Sequence, residues 1–343
     1  KLYGVVEDVA RQTSRNPVID YIDGLQWDGR HRLDSLFVDV LGCEDRPVFR
    51  AYARRFLVSL CARLYEPGCK VDTVLTLQGR QGIGKSRFFR SLVAFDGFAG
   101  ELFSDTRLNL KDKDSMLQLY AAWLYEDSEL SSAGNADQET RKAFIASAVD
   151  RLRPPFGRKV RTYRRHTVIV ASTNERDFLR DKTGDRRYWV VPCANKVFDL
   201  AYIDKHRAQL FAEARELYRA GEQWWLTAQE DSLRRQSNAA YRYLDWYTQC
   251  AMTAYTNNGG GAHNRFTCGE FAAAIGKDVN PQGRGITLSA ALQRAGFVKM
   301  RSNGVTYYLK DETQAHIGNG LDSIDTLSRA PKGRVLREVW SQA

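Results

Sequence analysis

"LTLQGRQGIGKSRFF", Leu75 to Phe89, decides the fold. Extended back to Val71, its first part reads "VDTVLTLQ", a β-branched and apolar run suited to a buried strand. A glycine-rich turn follows, and a Lys-Ser pair opens a helical pattern. Gly79, Gly84, Lys85 and Ser86 satisfy the spacing G-x-x-x-x-G-K-[ST]. Glycines there let the backbone N–H groups of Gly79, Arg80, Gln81, Gly82, Ile83, Gly84, Lys85 and Ser86 converge on phosphates without Cβ obstruction. Lys85 can then reach the outer phosphates, the Ser86 hydroxyl can meet Mg²⁺, and the helix adds the positive end of its dipole. A strand, a loop of this kind and a helix predict an ATP site.

Three further apolar runs flank that unit. "AAWLYED" (Ala121 to Asp127) ends in acids, "HTVIVASTN" (His166 to Asn174) ends in polar residues, and "RRYWVVP" (Arg186 to Pro192) follows closely. Strands separated by helical patterns predict an α/β sheet with parallel strands. The acidic end offers Glu126, Asp127 and Glu129 for Mg²⁺ and for the attacking water. Adjacent residues at a strand tip diverge, which places Glu126 nearest the metal and leaves Glu129 or Asp127 to polarise water. Asn174 can orient water beside a γ-phosphate as a neutral sensor. Arg186 and Arg187 are candidates for an arginine supplied to a neighbouring subunit's phosphate, with the choice between them open.

"RLRPPFGRKVRTYRR" (Arg151 to Arg165) carries seven cations and no acid. Pro154, Pro155 and Gly157 break any helix, so the segment reads as a hairpin or loop standing out from the sheet. Arg153, Arg158, Lys159, Arg161, Arg164 and Arg165 are the expected DNA contacts, with Phe156 and Tyr163 available to stack on bases. The whole chain carries a formal net charge of +10, which fits a polyanionic partner.

The 343 residues leave room for several domains. Residues 1–70 read as a helical N-terminal, oligomerising region, 71–200 as the ATPase core, and 201–258 as a helical extension. After Gly259-Gly260-Gly261, residues 262–312 read as a winged-helix-like module. Its parts are two short helices, in "FTCGEFAAAIG" and "ITLSAALQRAGFVKM", and a strand at Gly304 to Lys310. Residues 313–343 form a polar tail. Lys1 is not a natural start, so a longer parent protein is expected. The six cysteines are scattered without metal-ligand spacing and read as buried thiols of a cytoplasmic protein. No apolar stretch approaches the ~20 residues that span a bilayer.

The order of glycine loop, acidic strand end, basic hairpin, Asn-ended strand and arginine pair resembles the superfamily 3 helicases. More closely, the chain resembles the virulence-associated protein E family of phage and mobile-island replication proteins. The matching stretches are "NPVIDYIDGLQWDGRHRLD", "PGCKVDTVLTLQGRQGIGKS", "LYEDSEL", "RPPFGRKVRTYRR" and "ASTNERDFLRDKTGDRRYWVV", within about residues 15–230. The resemblance implies an AAA+-like P-loop ATPase core, assembled as a ring (a hexamer in the usual form) around DNA and often paired with a primase, upstream or separate. It implies catalytic roles for Lys85, Glu126, Glu129, Asn174, Arg186 and Arg187, with ATP and Mg²⁺ as cofactors. The expected activity is ATP-driven movement on single-stranded or forked DNA. A DNA-binding replication initiator or ATP switch that unwinds nothing is the alternative. A small-molecule kinase would use the same loop but leave the basic hairpin idle.

Overall fold

The computed structural model describes residues 16–97, 102–107, 109–110, 112–127, 135–153, 159–176, 178–179, 185–242, 265–270, 289, 292–293, 297–302 and 304–310. The chain divides into two compact units, residues 1–243 and 244–343.

In the first unit, α1 (Pro17–Gly24) and α2 (Pro47–Tyr65) precede β1 (Val74–Gln78) and α3 (Lys85–Leu92). Then come β2 (Phe103–Ser104), α4 (Lys113–Gln118), β3 (Leu124–Asp127) and α5 (Asn135–Ala146). A hairpin of β4 (Val149–Leu152) and β5 (Arg161–Arg164) leads into β6 (Val168–Thr173). The unit closes with β7 (Tyr188–Pro192), α6 (Ala201–Arg219) and α7 (Ala228–Asn238). Caps fit the sequence locally. Asn16 accepts from the Val18 N–H ahead of Pro17, and Thr227 with Glu230 forms a capping box at the start of α7.

The central sheet has the order β2-β3-β6-β1-β7, and every neighbouring pair is parallel. Both faces are covered, which is why these strands read as continuous apolar runs rather than alternating ones. The period of two still sorts their side chains. Leu75, Leu77, Val168, Val170, Trp189 and Val191 join a core with helices α2, α3 and α6. Val74, Ile169, Ala171 and Val190 join a second core with Leu119, Tyr125 and Ile145. Helix α2 is buried along nearly its whole length, from Val48 to Leu64, and packs on α6.

Parallel pairing has one consequence for function. β1, β3 and β6 all end at the same edge of the sheet, so the residues after Gln78, at Glu126 and after Thr173 gather there. The predicted strands at 71–78, 121–127, 166–174 and 186–192 all exist, each trimmed by up to three residues at its ends.

The second unit contains β8 (Arg265–Phe266), β9 (Phe297–Ser302) and β10 (Val305–Lys310) in an antiparallel sheet ordered β8-β10-β9. This corrects the expectation at 297–300, which the sequence reading places in a helix. Ser302 pairs with Val305, and Gly304 between them has φ +77°. Asn-Gly between extended runs is the strongest short hairpin signal, and it outweighs the helical spacing upstream. Most of the two predicted helices, and the tail from 313, lie outside the described residues. Among the described residues no helix is long and apolar enough to cross a membrane.

Candidate functional site

Residues 79–84 turn tightly between β1 and α3. Gly82 and Gly84 adopt φ of +83° and +104°, which L side chains rarely accept. A Cβ at Gly79 would meet Ile83 Cδ1 at 3.0 Å and Cys193 Cβ at 3.2 Å. The loop is pinned from behind. The Gly79 N–H donates to the Thr173 carbonyl, and the Phe198 N–H donates to the Ile83 carbonyl. Arg80 and Gln81 lie on its exposed side.

Lys85 is buried and reaches back over the loop. Its Nζ donates to the Gly79 carbonyl at 2.7 Å, the Arg80 carbonyl at 2.9 Å and Asn174 Oδ1 at 2.8 Å. Burial pulls the Lys85 pKa below its ordinary value. The ammonium thus ties the loop to the end of β6, with Asn174 as its partner.

The Ser86 hydroxyl donates to Glu126 Oε1 at 3.0 Å, and the Ser172 hydroxyl donates to the same oxygen at 2.6 Å. Glu126 is 1% exposed, and its other oxygen, Oε2, is buried with no hydrogen-bond partner. Burial pushes the Glu126 pKa up, against the opposing effect of the two hydroxyls. A buried carboxylate oxygen without a donor, next to a serine hydroxyl and below a glycine loop, fits a hard divalent cation of the Mg²⁺ kind. Among the described residues no group of three or more His, Cys, Asp or Glu forms an all-protein metal cage. Mg²⁺ in phosphate sites relies on one or two carboxylates plus phosphate oxygens, so the donor set suits that use.

Two expectations at this edge need correction or stand aside. Asp127 does not join Glu126: its carboxylate turns to Arg141 at 2.7 Å, because neighbouring residues on a strand face opposite ways. Glu129 lies outside the described residues. Ser172, within β6 and two residues before Asn174, is a further member of the site that no sequence motif singles out.

The hairpin of β4 and β5 stands apart from the central sheet as its own two-stranded sheet. Arg153, Lys159, Arg161 and Arg164 are exposed on it, and Arg158 and Phe156 lie outside the described residues. Arg165 is a correction. It is 2% exposed, donates to both Asp150 oxygens at 2.5 and 2.8 Å and to the Phe144 carbonyl, and lies 4.3 Å over the Phe144 ring. The acid that compensates it stands one residue before the acid-free stretch. Tyr163 is likewise turned inward, with its ring 5.1 Å from that of Tyr120.

Arg186 and Arg187 are not brought to the loop. They form a 3₁₀ turn with Asp185 just before β7, at the opposite edge of the sheet. Asp185 is buried and accepts from Arg234 and Arg242, while Asn238 donates to the Asp185 carbonyl.

The sequence profile of the Virulence-associated protein E-like domain matches residues 22–243, and the chain belongs to that family. No curated protein matches the chain. Among solved structures, the apo C-terminal region of NrS-1 is similar with a TM-score of 0.46 at 10% identity, over 84% of this chain and 77% of that one. JCV helicase is similar with a TM-score of 0.29 at 12% identity, over 62% of this chain and 64% of that one. Likenesses at this level assign no residue a role.

Proposed function

We propose that the chain is an ATP-dependent DNA helicase or translocase acting in replication of a phage or mobile genetic element. One observation carries the reading. Lys85, Ser86, Glu126 and Asn174, four candidates spread over 90 residues of sequence, are joined by hydrogen bonds at the edge where the glycine loop opens.

In this reading the loop N–H groups and Lys85 bind the ATP phosphates, so Lys85 exchanges its carbonyl partners for phosphate oxygens. Ser86 and Glu126 hold Mg²⁺, which when bound neutralises phosphate charge. Asn174 orients the attacking water and, through Lys85, senses whether the outer phosphate is present. Arg186 or Arg187 acts on the nucleotide of a neighbouring copy, which requires an oligomer, a hexameric ring in the family's usual form. Arg153, Arg158, Lys159, Arg161 and Arg164 contact single-stranded DNA.

The coupling follows the chain. The hairpin runs through Arg165 into β6, and Asn174 follows the last residue of β6, Thr173. The Arg165 carbonyl accepts from Arg63 and from the Gly68 N–H, which holds the base of the hairpin to α2 and the turn after it. Only residues 165–167 separate the end of β5 from the start of β6, so a shift at Asn174 can reach the hairpin along β6 through a three-residue connection. A primase activity, upstream or on a separate chain, is a natural partner for this motor.

The test is ATP hydrolysis with and without single-stranded DNA, together with strand displacement from a forked duplex. Stimulated hydrolysis with displacement supports a motor. Site-specific binding without displacement favours the initiator or switch, and hydrolysis indifferent to DNA removes both.

A further inference from the structure

Behind the 185–187 turn lies a cavity of about 610 Å³, lined by six cationic and three acidic side chains. It sits at the start of β1 and β7, whereas the glycine loop follows the end of β1. Trp189, in its wall, pairs with Leu75, while Gln78 pairs with Pro192. The two places are therefore separated by the length of the sheet.

The acids in this wall are already engaged. Asp185 is held by Arg234 and Arg242, Asp231 by Arg234 and Arg235, and Asp72 by Lys70 at 3.6 Å. Arg186 and Arg187 make no ion pair with the described residues, so positive charge is left over. The wall is also short of acceptors. The Nε–H groups of Arg187 and Arg242 and the Nε1–H of Trp189 are buried without a hydrogen-bond partner, and Trp189 is 1% exposed. Three orphaned donors around one cationic cavity call for a ligand rich in anionic oxygens. Trp225, 54% exposed, leaves an indole face in the same wall for a flat ring.

The backbone here is built to hold its shape. The capping box fixes the start of α7, and from that helix Arg234 and Asn238 both grip the Asp185 carbonyl. The donors are thus preorganised rather than carried on a loose loop.

We propose that this cavity is a second phosphate site, taking the polyphosphate of a nucleoside triphosphate on Arg186, Arg187 and Arg242, with the base against Trp225. The ligand is free nucleotide, because nucleotide carried on the loop of a second copy is the arrangement the proposed function already contains. The proposal uses the arginines that the proposed function assigns to a neighbour's phosphate, but it does not require the loop to hydrolyse anything.

The experiment separates the two. The full chain carrying Lys85→Ala, which disables the loop, is titrated calorimetrically with tripolyphosphate and with ATP at low salt. One saturable site is expected, with ATP bound more tightly than tripolyphosphate. Adding Arg187→Gln should weaken both by about tenfold, and adding Arg164→Gln, on the hairpin, should change neither. Should Arg187→Gln lower the melting temperature, the exposed Arg186→Gln carries the same test. Sedimentation of the loaded Lys85→Ala chain should show no change in mass, because its disabled loop carries no nucleotide to a second copy, and association on loading overturns the proposal. Absence of a saturable site, equal losses from the Arg164 and Arg187 variants, or displacement of tripolyphosphate by a single-stranded oligonucleotide overturns it. ATPase activity of the wild-type chain is unaffected by any of these failures, so the two readings fall separately.

Discussion

Arg164 and Arg165 are neighbours of the same type, and they are expected to behave oppositely when each is changed to alanine. Arg165 is buried against Asp150 through two nitrogen–oxygen contacts of 2.5 and 2.8 Å and covers the Phe144 ring. Removing one partner of a buried pair leaves the other charge without compensation, at a cost of about 3–5 kcal/mol. Asp150 keeps its bond from the Tyr120 hydroxyl and some solvent contact, so the low end, about 3 kcal/mol, applies. In a unit of this size each kcal/mol moves the melting temperature by about 2–4 °C, which gives a fall of about 6–12 °C. Arg164 is exposed, and its replacement should stay within about 0.5 kcal/mol. The gap also depends on pH. Burial raises the Asp150 pKa, but the Arg165 and Tyr120 bonds outweigh it and hold the carboxyl below its ordinary value. A depressed carboxyl contributes stability that is present above the unfolded pKa and lost as pH falls through the folded one. The difference between wild type and Arg165→Ala should therefore be full at pH 7 and shrink below about pH 4. Thermal melts by circular dichroism at both pH values measure it. Equal melting temperatures for the two variants, or a gap that widens in acid, would refute the reasoning.

The remaining expectations concern the loop and the hairpin. Glu126→Gln should remove hydrolysis yet raise the melting temperature at pH 8. The folded pKa of Glu126 is raised, so wild type loses stability as pH rises through that range while the amide does not. Melts of the two proteins should converge near pH 4, and a variant less stable than wild type at pH 8 would contradict the assignment. Lys85→Ala should lower kcat by about 10²-fold or more while the far-ultraviolet spectrum is retained. Asn174→Ala should lower kcat by about 10²-fold with nucleotide affinity changed only a few-fold, since it acts by positioning. Arg164→Ala should reduce the salt slope of single-stranded DNA binding by about 0.7, whereas Arg165→Ala should leave that slope unchanged in whatever fraction remains folded.

Much of this fold could be read because buried parallel strands announce themselves as short apolar runs, and their order on the chain sets the edge where the site forms. Glu126, Ser86, Lys85 and Asn174 were legible for the same reason: each stands at a fixed offset from the end of a strand or the start of a helix. Asp150 and Arg165 were not, because a charge run says nothing about which of its members has a partner just outside the run. Asp127 was legible only as one of three acids. Its pairing with Arg141 depends on where α5 lies, which no local pattern contains. The hairpin of β9 and β10 shows a different fault, since the Asn-Gly turn signal and the helical spacing before it conflict, and the turn prevails. Asp185 is the least legible of all. Its partners Arg234, Asn238 and Arg242 come from about fifty residues away and show no spacing that points to it.

The position of the 185–187 turn also bears on how many chains one working site needs. β1 runs four residue steps from Val74, beside Tyr188, to Gln78, beside Pro192, which is about 13 Å of strand at 3.3 Å per step. The arginines precede the near end and the glycine loop follows the far end. A packed sheet does not fold over on itself, so Arg186 and Arg187 cannot reach their own glycine loop, where the proposed function puts the phosphates. On the proposed function each chain is therefore half a site at one edge and the complementary half at the other. Mixing tests this directly. The Lys85→Ala chain has intact arginines and a dead loop, and the chain carrying both Arg186→Gln and Arg187→Gln has the reverse. Each alone should be inactive. In an equal mixture about one interface in four joins a live loop to live arginines, so hydrolysis should return to about a quarter of the wild-type rate. A mixture as inactive as its components, although the two chains sediment together, would show that these arginines do not act across the interface.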